Sequence, residues 1–355
     1  MEIGRKEMEE IIDFLKYKMT IEEITGISII KVVGKLNPPV DKTIDEIKEY
    51  FSTTEYTPLF DTEGKHHVVK FGVFKKVKGK QKYWLNIVLF IATLLSTILV
   101  GAFNAGGDPF KNLLDFFLGI PFSLSIMAIL TCHEFGHYFV SKRAGMITSL
   151  PYFIPAPFHF FGTFGAVIRM KSIVPSRRTL LRVGVAGPIA GFVVALPLAV
   201  IGIALSEIGP APGGIEYLKL GDSLLFSMLA KIFHPEIQSG YDLFLHPIAF
   251  AAWIGFLVTS INLIPVGQLD GGHISYSLFL KKRKYSYIPI LVILVGLCLL
   301  WRGWILWVVL AFFLARRDAT IQDSITPLTI KEKLLAIIAL VILIITFIPI
   351  PLTFG

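Results

Sequence analysis

The chain has 355 residues, of which 54% are hydrophobic and only 17% charged, and its formal net charge is +8. A composition so apolar and so poor in charge excludes an ordinary soluble protein and places the chain in a membrane. The positive charge does not indicate nucleic acid, because the lysines and arginines stand in short groups beside apolar runs, where they set membrane orientation.

Residues 1–80 read as a small soluble α+β domain. Met8, Ile11, Ile12, Leu15 and Met19 recur at helical spacing among acidic residues and predict one amphipathic helix. A strand-like run from Ile27 to Val33, the break Pro38-Pro39, a second helical pattern through Ile44, Ile47 and Phe51, and a strand from His67 to Val77 follow. The start of the chain shows no secretory signal pattern, and a folded appendage is the plainest role for this part.

After Lys75, Lys76, Lys78, Lys80 and Lys82 the composition changes, and residues 81–355 read as a polytopic, all-α membrane domain. Apolar runs at about 84–103, 113–140, 183–205, 246–264, 285–300, 303–315 and 333–350 predict six or seven transmembrane segments. The count depends on whether the two short runs between 285 and 315 form a hairpin or one irregular segment. With the first lysines in the cytoplasm, the groups at 142–143, 169–182, 281–284 and 316–333 all fall on that same side, as the positive-inside rule requires. Cys132 and Cys298 are the only cysteines, each within an apolar run, so neither a disulfide framework nor a cysteine-based metal site is supported.

His133-Glu134-Phe135-Gly136-His137 matches H-E-x-x-H, whose histidines share one helix face and can grip one zinc ion. Glu134 stands beside them, placed to act on a metal-bound water as general base. Ionisable groups at membrane depth cost at least ~2.5 kcal/mol each unless paired, metal-bound or watered, so three together need a reason. A catalytic zinc takes a third protein ligand. Asp270 is the best candidate, since Pro265 and Gly267 break the helix after the run 246–264 and can turn the carboxylate inward; its alternative role is to cap the helix that follows. Asn262 could donate its amide to a developing oxyanion, or make an interhelical hydrogen bond.

His133 to His137 inside an apolar segment, with Asn262-Leu263-Ile264-Pro265 and Leu269-Asp270-Gly271 far downstream, resembles the site-2 protease family of intramembrane metalloproteases. Phe161 to Ile168 and Gly184 to Gly191 also look like that family, and the likeness covers about residues 85–280, leaving 285–350 as additional C-terminal spans. The resemblance implies His133, His137 and Asp270 as ligands of one Zn2+, Glu134 as the catalytic carboxylate, and cleavage of transmembrane or membrane-adjacent protein substrates. No PDZ-like insertion is evident, and the folded N-terminal extension is similar to the branch containing plant chloroplast members and their prokaryotic relatives.

A substrate helix must unwind before a peptide carbonyl can reach a metal, and an open strand edge would hold it extended. Gly162, Thr163, Phe164, Gly165, Ala166 and Val167 are the candidate edge, on a short strand or re-entrant element near 150–170 after Pro151, Pro155 and Pro157; an ordinary interfacial loop is the alternative. Gly184, Gly187 and Gly191 fit close helix packing. The expected partners are membrane-protein substrates and the lipid bilayer, and the expected location is a prokaryotic plasma membrane with the N-terminal domain cytoplasmic. Competing functions are a prenyl-protein protease, or a transporter or chaperone with intramembrane ionisable residues.

Overall fold

The computed structural model describes residues 5–26, 29–73, 83–211, 218–237, 240–280, 284–314 and 319–354. α1 (Arg5–Lys16) is shorter than its apolar spacing indicates, because Met19 opens β1 (Met19–Thr25), which pairs antiparallel with β2 (Ile30–Leu36). α2 (Val40–Tyr50), β3 (Tyr56–Glu63) and β4 (His66–Val73) follow, giving a four-stranded sheet in the order β1-β2-β4-β3. Leu15, Ile44 and Ile47 from the helices meet Val32, Val69 and Phe71 from the sheet in one core. β3 has no counterpart in the sequence expectation because Pro58 lies within it; proline, lacking an N–H, is tolerated on an edge strand, which is where β3 runs. The expected strand as far as Val77 and the basic groups at 75–82, 281–283 and 316–317 fall wholly or partly outside the described residues.

α3 (Tyr83–Asn104), the segment Leu113–Arg143 containing α4 (Ile120–Arg143), and α5 (Arg177–Ala204) are long and apolar enough to cross a membrane. Between α4 and α5 lie β5 (Tyr152–Pro155) and β6 (Thr163–Val167), paired antiparallel. Beyond α5 come β7 (Glu207–Pro210), β8 (Leu218–Leu220), α6 (Leu224–Phe233), β9 (Tyr241–Phe244), α7 (Pro247–Leu263), α8 (Asp270–Phe279), α9 (Lys284–Leu297), α10 (Trp304–Leu314), α11 (Ile330–Thr346) and β10 (Leu352–Phe354). β7 pairs with β9 and β8 with β10. The membrane part is therefore mostly helical and not purely so. Three helices have spanning length, while α6, α7 and α10 and the apolar part of α9 are shorter apolar helices.

α5 lies at the centre, against α4, α7, α8 and α11. Ile126, Ile129, Leu130, Ala195, Trp253 and Phe256 form the interior of that bundle. On the outside, Trp84, Ile87, Val88, Ile91 and Leu95 leave one face of α3 exposed and apolar, at the spacing a lipid-facing helix shows.

The hairpin formed by residues 147–171 runs along α3. Its base is closed by Ser149 N–H to the Arg169 carbonyl (3.0 Å) and Lys171 N–H to the Ile147 carbonyl (2.8 Å). Asn86 Nδ2 donates to the carbonyls of Leu150 (3.2 Å) and Pro151 (2.8 Å), Ser96 Oγ to Gly162 (2.6 Å), and Asn104 Nδ2 to Phe160 (3.3 Å). At 1.5 Å per residue, Asn86 and Asn104 are roughly 27 Å apart, close to the thickness of a hydrocarbon core. Polar side chains of α3 thus donate to backbone carbonyls along this hairpin, and the Gly162 carbonyl accepts from the Ala156 N–H (3.1 Å) as well.

Candidate metal centre

His133 and His137 project from the C-terminal half of α4, roughly 9 to 15 Å along the helix from Arg143. Both are buried, as is Glu134. The third member arrives by a reversal of the chain. α7 stops at Leu263, where Ile264 turns to extended backbone, and Val266 N–H to the Ile264 carbonyl (2.7 Å) and Leu269 N–H to the Val266 carbonyl (3.1 Å) tighten the turn. α8 then begins directly against the end of α7. A Cβ on Gly271 would lie 2.0 Å from the Leu263 carbonyl oxygen, so only glycine fits after Asp270. Leu269 holds the N-cap position of α8 and no side chain caps it, which removes the capping role for Asp270. The carboxylate sits in the first turn instead, where the helix dipole favours negative charge.

His133 Nε2 lies 3.2 Å from Asp270 Oδ2, His137 Nε2 lies 3.3 Å from Asp270 Oδ1, and the two Nε2 atoms are 3.2 Å apart. His137 Nδ1 is 2.7 Å from the Val183 carbonyl of α5. A carbonyl only accepts, so Nδ1 carries a proton and the neutral ring presents its Nε2 lone pair to a carboxylate that also only accepts. Two acceptors at that separation repel unless a cation stands between them, and a metal ion or a second ring proton meets that need. Among the described residues, His133, His137 and Asp270 are the group of ligand atoms close enough to hold a metal ion. Zinc with bonds of about 2.0–2.1 Å spaces tetrahedral ligands by roughly 3.3–3.4 Å, and two nitrogens with one carboxylate leave a position open. The donor set and its spacing fit that ion.

α5 supplies the space. A Cβ on Gly187 would fall 2.0 Å from His137 Nε2, and one on Gly191 would fall 3.2 Å from His133 Cβ and Nδ1. A Cβ on Gly184 would come 3.2 Å from the Asp270 carbonyl. The glycine spacing in the sequence marks close approach, but what approaches is the cluster of His133, His137 and Asp270 itself. Val183 leaves no trace in the sequence, because a backbone carbonyl is the same in every residue.

β6 packs against α4, and the backbone of Ile168, immediately beyond the strand, approaches the Glu134 carboxylate. β6 pairs with β5 on one side, and its other edge has no strand partner among the described residues. Thr163 to Val167 form that strand, whereas Gly162 lies in the turn before it at φ +72°, packed against Thr97 of α3. Asn262 lies partly exposed in the last turn of α7, and among the described residues its amide makes no hydrogen bond to His133, Glu134, His137 or Asp270.

A helical, membrane-associated chain with a buried two-histidine, one-aspartate centre and an adjoining glutamate defines the class to which this protein must be compared. The model of peptidase family M50 matches residues 121–302, about half of the chain and all four of these residues, and the chain belongs to that family. "Probable zinc metalloprotease EGY2, chloroplastic" of Arabidopsis thaliana is 34% identical over 239 residues, covering 66% of this chain and 43% of its own length. The protein of the same name from Oryza sativa subsp. indica is 33% identical over 233 residues, covering 65% of this chain and 40% of its own. "Probable zinc metalloprotease EGY1, chloroplastic" of Arabidopsis thaliana is 26% identical over 316 residues, covering 79% and 57%. This chain thus spans about two fifths to a little over half of these relatives. No solved structure matches it. Membership of a peptidase family favours the protease reading over the transporter, chaperone and prenyl-protein protease alternatives. The relatives are chloroplast proteins by name, which does not fit the expected prokaryotic plasma membrane.

Proposed function

We propose that this chain is an intramembrane zinc endopeptidase that hydrolyses peptide bonds of transmembrane or membrane-adjacent proteins. One observation carries the reading: two imidazole Nε2 atoms and the Asp270 carboxylate converge at 3.2–3.3 Å where α4, α5 and α8 meet. His133, His137 and Asp270 hold the zinc, and the name zinc metalloprotease borne by the relatives agrees with that choice of ion. Zinc, when bound, supplies a Lewis acid beside the scissile bond and makes water reactive near neutral pH. Glu134 takes the proton from the attacking water and hands it to the departing amine. Asn262, one turn before the break that carries Asp270, stands in reserve as a donor to the developing oxyanion.

The open edge of β6 receives the substrate as an added strand. Support comes from its position, since β6 packs against α4 and the backbone just beyond the strand, at Ile168, approaches Glu134. Residues 1–80 form a soluble cytoplasmic module and residues 81–355 the membrane protease, with a core at about 85–280 and further spans at 285–350 that bring the total to six or seven. Lys142 and Arg143 close α4, and Arg177, Arg178 and Arg182 open α5. That shared basic end, facing the cytoplasm by the positive-inside rule, favours this sidedness. Membrane proteins and the bilayer are its partners, and nucleic acid is not.

The test is to purify the protein, measure its zinc, and incubate it with a panel of membrane-spanning peptides beside Glu134→Gln. The expected result is about one zinc per chain in both forms, with cleavage by the wild type alone. Equal cleavage by both would take Glu134 out of the reaction, and a zinc-free wild type would dismiss the metal centre.

A further inference from the structure

The connection between α10 and α11 is more than a linker. Residues 320–324 lie between two partners that belong to distant parts of the chain. On one side, Val174 N–H donates to the Thr320 carbonyl (3.0 Å) and Gln322 N–H to the Val174 carbonyl (2.8 Å), next to the start of α5. On the other, Phe60 N–H in β3 donates to the Gln322 carbonyl (2.7 Å) and Ser324 N–H to the Phe60 carbonyl (3.1 Å). Both pairings are isolated parallel bridges, so this segment joins the edge of the N-terminal sheet at one point while gripping the approach to α5 at another. Arg177 N–H, in the first turn of α5, donates to the Asp323 carbonyl (2.9 Å).

Side chains repeat the pattern. Asp323, buried, accepts from the amides of Ile325 and Thr326 (both 3.0 Å) through Oδ1, and its Oδ2 lies 3.4 Å from Lys48 Nζ of α2. Ile325 packs against the N-terminal core that contains Phe60 and Phe71. Ile321 packs in a different cluster, with Met146, Val174, Leu180 and Val183. Val183 is the residue whose carbonyl orients the His137 ring.

From this continuity, which rests on the metal-centre reading above, we infer that residues 320–326 are a clasp making the N-terminal module part of the catalytic apparatus, with Asp323 and Ile321 as positioning residues for His137. Asp323 fixes the clasp to the module, and Ile321 presses on the α5 turn that presents the Val183 carbonyl. A metal-bound histidine depends on the acceptor of its second nitrogen, and loss of such an acceptor typically weakens metal binding 10–100-fold. The N-terminal module is then a support for a metal ligand and not an independent appendage.

The experiment compares wild type, Asp323→Ala, Asp323→Asn and Ile321→Ala in the full chain. Two readouts are taken: the visible spectrum of the cobalt(II)-substituted protein, which reports ligand geometry, and amide hydrogen exchange at residues 56–63 and 177–183. Asp323→Ala should shift the cobalt bands, weaken metal retention about tenfold, and speed exchange in both segments. Asp323→Asn keeps an acceptor for the Ile325 and Thr326 amides and should restore most of the wild-type spectrum. Ile321→Ala leaves every backbone bond of the clasp in place, guards against general unfolding, and should still shift the bands and speed exchange at 177–183. Faster exchange at 56–63 in Asp323→Ala, with an unchanged spectrum and unchanged 177–183 in both alanine variants, would overturn the inference. If the wild type takes up no cobalt, the metal reading fails, and exchange at 177–183 alone decides for or against the clasp.

Discussion

Replacing Gly187 with alanine should dismantle the metal centre while leaving the helices in place. The new Cβ would stand 2.0 Å from His137 Nε2 and 2.5 Å from Cδ2 and Cε1, where ordinary contact begins at 3.4 Å, so ring and helix must part by about 1.4 Å. Metal–ligand bonds tolerate deviations of only about 0.2 Å, which puts His137 out of reach of an ion still held by His133 and Asp270. Since losing a supporting hydrogen bond alone costs 10–100-fold in affinity, displacing the ligand should cost on the order of 100-fold or more. Helix propensity works the other way, because alanine is favoured over glycine by about 1 kcal/mol, so loss of fold is not the expected route. Zinc content after dialysis against a chelator measures the effect. Gly191→Ala, with 3.2 Å to His133 Cβ, should lose less, and Gly296→Ala, with nothing within 4 Å, should match the wild type. Zinc retained by Gly187→Ala as firmly as by the wild type would refute this account of how α5 makes room for the ligands.

Ser96→Ala removes the 2.6 Å hydroxyl donor from the Gly162 carbonyl, which keeps only the Ala156 N–H at 3.1 Å, and should lower stability by about 0.5–1 kcal/mol, read as a lower melting temperature in detergent. Asn262→Ala should reduce turnover with zinc content unchanged, as removal of an oxyanion donor does; equal turnover would leave Asn262 a packing role. His67 accepts a hydrogen bond from Leu36 N–H at 3.0 Å, and burial holds its pKa below the ordinary value of 6.5. Because the unfolded ring takes up a proton first, the stability contributed by neutral His67 is complete above about pH 6.5 and is lost as pH falls through the lower folded value. Thermal unfolding of wild type and His67→Gln between pH 7.5 and pH 5 checks this, with the glutamine variant losing less stability on acidification.

The three helices of spanning length were legible because lipid demands long apolar runs: Tyr83–Asn104 and Leu113–Arg143 start and stop within about three residues of where composition changes, while α5 begins some six residues earlier, in its polar first turns. Asp270 was legible for a related reason, since Pro265 and Gly267 in an apolar segment mark a turn that must serve something. β1 was hidden because Met19 continues the apolar spacing of α1, and the true helix end lies at Lys16. Nothing in Thr320 to Ser324 distinguishes the clasp from a polar loop, because its parallel bridges depend on backbone groups brought together from three separate parts of the chain. The glycine stripe of α5 fell between these cases: its spacing announced intimate contact, and only the structure identifies imidazole rings as the occupants.

At Gly136, between the two histidines, α4 and α5 touch backbone to backbone, and even a methyl group there would lie 2.5 Å from the Ala186 carbonyl oxygen. Such a seam works like a welded joint, since neither helix can slide or roll without driving main-chain atoms into each other. On the proteolytic reading proposed above, an incoming polypeptide then finds its room on the opposite flank, with this pair acting as a fixed anvil.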